Sequence, residues 1–97
     1  MAAATITNTT YGYKATGGTD ATSITTSIIR VKNFVFIPAT NADTAALTDK
    51  VGTSVHAMKG ATAGTSYNDF FGDMGTRFDG LKVTLSGAND VLYVHSV

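Results

Sequence analysis

The chain has no cysteine, no tryptophan and no glutamate in its 97 residues. The first absence rules out a disulfide framework and, with two histidines that are not at ligand spacing, a structural zinc site. The missing glutamate removes the terminal ligand of an EF-hand loop and a common general acid or base. Charge is also scarce: Asp, Lys and Arg make up 14% of the residues, against about 25% in an average soluble domain. Seven basic and seven acidic residues cancel to a formal net charge of zero and lie scattered, so neither nucleic acid nor an anionic membrane is an expected partner. No run approaches the length of a transmembrane helix, and the start Met1-Ala-Ala-Ala-Thr lacks a basic region followed by an apolar one. This predicts a protein made in a cytoplasm.

Threonine is the commonest residue, followed by alanine and glycine. Threonine suits a pleated surface, where its methyl packs and its hydroxyl meets water. A polar but weakly charged exterior needs little desolvation to dock onto another protein. A domain this small buries a modest fraction of its surface, and assembly is a natural way to add stability.

Period-two alternation runs through the chain. In residues 81–86, Leu81, Val83 and Leu85 fall on one face and Lys82, Thr84 and Ser86 on the other, as in a half-buried strand. Residues 5–14 read as a first strand, with Thr5, Thr7, Thr9, Tyr11 and Tyr13 opposite Ile6, and Gly17-Gly18 marks the turn after it. The strongest strand covers residues 28–37, where Ile29, Val31, Val35 and Ile37 oppose Arg30 and Lys32 until Pro38 ends it. Phe34 and Phe36 share the face of Arg30 and Lys32, so either that face turns apolar beyond Asn33 or a bulge near Asn33 shifts the phase. Residues 44–49, with Ala45 and Leu47 on one side, and 53–59 form a hairpin, although residues 42–51 also allow one helical turn. Phe70 and Phe71 are too large to leave in water, so the loop 68–75 is expected to tuck under the sheets. Together these segments predict one all-β domain, a small antiparallel β-sandwich or jelly roll of about seven to eight strands. Residues 1–26 are a threonine-rich arm or edge strand, its start held by a neighbouring subunit, and residues 27–97 the sandwich core.

Tests for chemistry return little. His56 and His95 each lie in a predicted strand with no local triad pattern around them. Asn68, Asp69 and Asp73 offer oxygens of the kind calcium takes, without EF-hand spacing, and read instead as turn residues. Gly17-Gly18 lacks the lysine and hydroxyl of a phosphate loop. No catalytic residue, metal or cofactor is predicted.

The final strand is more informative. Leu92 and Val94 face one way, while Val91, Tyr93, His95 and Val97 face the other, so both faces are apolar. The second face is covered either by the Phe70/Phe71 loop or by a neighbouring molecule.

The succession Ile29-Arg-Val-Lys-Asn-Phe-Val-Phe-Ile-Pro38, the turn Asn41-Ala-Asp-Thr44, then Arg77-Phe-Asp-Gly-Leu-Lys-Val83 and a closing Val91-Leu-Tyr-Val94 resembles the small all-β virion proteins of tailed bacteriophages. The resemblance covers residues 27–97 and rests on short motifs. It implies a structural role as a capsid decoration or cement protein on the virion exterior, with the major capsid protein lattice as partner and a homotrimer as the favoured state. No catalytic residue or cofactor transfers with it. The contact surface is expected at Tyr11, Tyr13, Val91, Tyr93, His95 and Val97. The alternative is a carbohydrate- or host-surface-binding module of a phage tail or fibre, using Tyr11, Tyr13, Tyr67 and Tyr93 as sugar platforms.

Overall fold

Alternating β-branched and small residues broken by glycine-rich turns favour strands throughout, and the computed structural model, which describes residues 3–97, contains eight strands and no helix among them. They are β1 (Thr5–Thr9), β2 (Gly12–Thr16), β3 (Thr22–Ile37), β4 (Asp43–Thr48), β5 (Ser54–Gly60), β6 (Tyr67–Phe70), β7 (Thr76–Leu85) and β8 (Val91–Ser96). Met1 and Ala2, the start of the expected held arm, lie outside the described residues. All ladders are antiparallel and link the strands in the order β1-β2-β8-β3-β7-β4-β5, with β6 also on β3.

The long strand β3 belongs to both layers. Its first part pairs with β7, and its last residues pair with β8 on one side and β6 on the other. One layer is therefore β2-β8-β3-β6, with β1 added as an edge strand, and the other is β3-β7-β4-β5. With the two halves of β3 counted as successive strands, this is the pairing order of a jelly roll. Register shifts interrupt the β3–β7 ladder between Ser23 and Ile28, and the change of partners from β7 to β8 and β6 comes after them, at Val31–Asn33.

A further irregularity decides which residues are inside. Val31 pairs with Ser96 but Asn33 with His95, so two steps along β3 match one along β8. The inward phase passes from Ile29 and Val31 to Phe34 and Phe36, which are fully buried, while Val35 and Ile37 stay half-buried on the outer face. The bulge near Asn33 is the alternative the protein adopts. Phe34 becomes a hub: His56 stacks on it at 5.4 Å between ring centroids, and Phe71 and Phe78 meet it at 5.6 and 5.9 Å. Leu47, Leu81, Val83, Leu85, Leu92 and Val94 complete the core, as the alternation in residues 81–86 predicts.

Two expectations change. Residues 5–14 are a hairpin, not one strand: Thr9 pairs with Gly12 across the turn Thr10-Tyr11, which carries none of the Asn-Gly or Gly-Gly chemistry that announces a tight turn. Gly12 is needed for close approach, since a β-carbon there would strike the carbonyl oxygen of Val94. The loop 68–75 is partly strand. β6 and β7 run one after the other along the same edge of β3, with 71–75 as an excursion between them, and Phe71 N–H continues the ladder to Lys32 O at 2.8 Å. Phe71 turns into the core, whereas Phe70, on the opposite face, is 59% exposed. The helical turn allowed at residues 42–51 is absent; β4 and the turn after it occupy that stretch.

Phe34→Ala should lower the unfolding free energy by about 3–5 kcal/mol, and Phe70→Ala by less than about 0.5 kcal/mol. Urea titrations read both, and equal losses would contradict the inward phase of Phe34.

Candidate functional site

Alternation along β8 sends Leu92 and Val94 inward and leaves Val91, Tyr93 and His95 half-buried on the outer face. Register sets their neighbours: Lys14 lies opposite Tyr93 on β2, and Val35 and Ile37 lie opposite Tyr93 and Val91 on β3. The Lys14 ammonium sits 5.7 Å from the centre of the Tyr93 ring, a cation–π distance. Asn33 Nδ2 donates to Asn68 Oδ1 at 2.9 Å, which leaves its own Oδ1 to accept from His95 Nδ1 at 3.2 Å. In that relay Asn33 Oδ1 can only accept, so His95 Nδ1 is the donor. Neither Phe70 nor Phe71 makes an aromatic contact with Tyr93 or His95, and Phe71 points into the core. Of residues 68–75, Asn68 reaches this face through its bond to Asn33, and Phe70 lies opposite Asn33 at its edge.

The other three expected contact residues gather elsewhere. Tyr11, Tyr13 and Val97 line a cleft of about 650 Å³ together with residues 8–10, 28–30 and Ser96. Tyr13 pairs with Val94 and packs against the core from within, so it does not share the Tyr93 face. Val97 lies beyond the end of β8, with its side chain against Gly75, whose left-handed φ of 72° and lack of a β-carbon permit the contact. Tyr11 and His95, 6.3 Å apart in an edge-to-face pair, join the cleft to the outer face. The six residues thus form two adjoining surfaces.

Two clusters that the sequence did not reveal involve titratable groups. His56 Nε2 and Asp69 Oδ2 meet at 2.7 Å and join the edges of β5 and β6. Among the described residues no hydroxyl hydrogen-bonds to His56, so the pair lacks the nucleophile of a triad. The same alternation separates the candidate calcium ligands: Asn68 bonds Asn33 on the outer face, and Asp69 bonds His56 on the inner one. No group of three metal-binding side chains exists among the described residues.

The second cluster is a carboxyl pair at the end where the loops gather. Asp90 is fully buried; its Oδ1 accepts from Ala39 N–H at 2.7 Å and its Oδ2 from Gly87 N–H at 2.8 Å, while its carbonyl accepts from Gly17 N–H at 2.8 Å. One residue therefore ties together the β2–β3, β3–β4 and β7–β8 loops. Burial pushes its carboxyl above the usual carboxylate range, and hydrogen bonding and charge from Asp43 push the same way, against the two amides.

The chain matches no known protein family, no curated protein and no solved structure in comparisons with each. No helix is long and apolar enough to cross a membrane among the described residues.

The Asp90 arrangement sets a pH dependence with a definite sign. A carboxyl raised in the folded state binds its proton more readily there than in the unfolded chain. Its contribution to stability is complete below the ordinary carboxylate pKa of about 4 and is lost as pH climbs through the raised value. Asp43→Asn keeps an acceptor for Thr40 N–H, offers Asp90 a donor and removes the like charge. The variant should melt several degrees higher than the parent at pH 7 and show a smaller difference between pH 7 and pH 5, as measured by thermal denaturation. An unchanged pH difference would contradict the coupling.

Proposed function

We propose that this protein is a structural component of a tailed-phage virion, which decorates the capsid by seating the outer face of β2, β8, β3 and β6 on the shell. The observation that carries this reading is the chemistry of that face. Val35, Ile37, Val91 and Tyr93 lie side by side there, Phe70 stands exposed at the flank, and Lys14, already over the Tyr93 ring, is the one charge at its paired positions. Such a surface loses little hydration energy on docking and gains from apolar burial. The resemblance in residues 27–97 supports the same role, and jelly rolls recur in viral capsid proteins.

The mechanism is linkage. A protein that binds only the assembled shell stabilises it by RT ln(1 + [L]/Kd), and a homotrimer spanning neighbouring capsomers multiplies the contacts. No catalytic role is part of this reading. A second reading, a carbohydrate-binding module, is favoured by one observation: Tyr11 is 71% exposed at the mouth of the cleft.

Cosedimentation with bare mature phage shells tests the first reading. The parent protein and Val51→Asp, altered in an exposed turn remote from the face, should pellet with shells. Tyr93→Asp should bind at least tenfold more weakly, and native mass spectrometry should show a trimer. Failure of the parent to bind any shell state would sink the decoration role, and saturable binding on a glycan array would favour the second reading.

A further inference from the structure

The two sides of the sandwich are finished differently. On one, the His56–Asp69 pair joins β5 to β6. On the other, β3 has no ladder partner opposite β7 from Ser23 to Ile29 among the described residues. β8 (Val91–Ser96) occupies that lane farther along, and Val97 N–H donates to Arg30 O at 3.0 Å. The free edge of β1 borders the same lane. Ala3 bridges to Asp20 in parallel, and Ala4 N–H donates to the Thr22 hydroxyl at 2.9 Å, so β1 and β3 set out side by side. They then part, and the cleft lies between residues 8–10 and 28–30.

The lane is bounded by Ala4 at one end and Val97 at the other, leaving residues 23–29 beside it, about 20 Å of strand. In an antiparallel ladder, alternate residues direct N–H and C=O to the same neighbour. Arg30 directs its carbonyl to Val97, so Ile28, two residues back, directs its own into the empty lane. Thr9, one of the residues that line the cleft, has a shielded hydroxyl with no hydrogen-bond partner. The rims carry exposed apolar side chains, Tyr11, Ile28 and Val97. Arg30 is the one lining side chain charged at neutral pH, and its guanidinium is already steadied by the carbonyls of Met74 and Gly75 at 3.3 and 3.4 Å. A sugar would want parallel ring platforms; here Tyr11 stands edge-to-face with His95 and Tyr13 packs on the core.

We propose that this lane receives an extended segment of a partner polypeptide by strand addition, antiparallel to β3 and in line with β8, with a partner carboxylate set against Arg30. The proposed function enters only in the identity of the donor, which is the shell protein; the lane and its charge preference belong to this chain alone.

Two synthetic peptides, Thr-Val-Asp-Val-Thr and Thr-Val-Lys-Val-Thr, test it by NMR titration of the full chain. The aspartate peptide should shift the amides of residues 5–9 and 23–30, leave those of Leu47 and Met58 in place, and bind at least tenfold more tightly than the lysine peptide. Arg30→Glu should reverse that preference and Arg30→Gln should remove it. No shift with either peptide overturns the proposal, as does a preference indifferent to both substitutions. An oligosaccharide that reproduces the shifts and displaces the peptide assigns the cleft to sugar and overturns it as well. These outcomes are independent of shell cosedimentation. In shell-bound protein, amide hydrogen exchange at residues 23–29 should slow at least tenfold, and unchanged exchange there removes the shell protein as donor.

Discussion

The phase shift in β3 at Lys32 and Asn33 is the constraint on which the rest of the molecule depends. Without it, strict alternation from Val31 would turn Phe34 and Phe36 outward with Arg30. Burying those two rings is worth about 3–6 kcal/mol in total, enough to outweigh one unpaired step in the ladder, even with Val35 and Ile37 left half-buried. The same shift builds both surfaces of the sheet. Inside, it creates the Phe34 hub that His56, Phe71 and Phe78 surround. Outside, it aligns Asn33, Val35 and Ile37 with His95, Tyr93 and Val91. Packing therefore fixes the position of the apolar outer face.

Because β3 serves both layers, each side of the sandwich has to be completed separately. The β5–β6 side is held by side chains, with the His56–Asp69 bond beside the aromatic cluster. At the loop end, the Asp90 carboxylate and carbonyl together secure three connections through backbone amides. The β1–β3 side has no equivalent: its strands touch at Ala3, Ala4, Asp20 and Thr22 and then diverge. Clamping elsewhere lets this side stay open without loosening the core, which Ala4, Ala15 and Ile24 reach from the threonine-rich region.

Alternation made much of this legible. Leu81, Val83 and Leu85 are buried, Ala45 and Leu47 face inward, and Val91 and Tyr93 oppose Leu92 and Val94, as the period-two pattern requires. The bulge was visible as a conflict between Phe34 and Arg30, which only packing could resolve. The hairpin at Thr10-Tyr11 carries no local signal because an ordinary dipeptide makes the turn, and what demands Gly12 is the distant carbonyl of Val94. β6 carries none either, because only its register on β3 makes four polar and aromatic residues a strand. The pairs His56–Asp69 and Asp43–Asp90 join residues 13 and 47 apart along the chain, and no local spacing announces them.

The terminal strands of the sheet show why the open lane is better understood as a receptor than as a defect. An unpaired edge invites pairing with other chains, and proteins that must avoid this place charge, proline or bulges there. β5 follows that practice, with Lys59 near its end and a register break between Leu47 and Thr48 that bulges it at Val55. β1, Thr-Ile-Thr-Asn-Thr, has no charge, no proline and a regular ladder to β2. The facing stretch of β3 carries register shifts between Ser23 and Ile28, as β5 does at Val55, but unlike β5 it has no charge from Thr22 to Ile29. Arg30, at the end of that stretch, discriminates among incoming chains by charge instead of repelling them all. An edge left uncharged along its length and charged only at one end is suited to accept a particular strand.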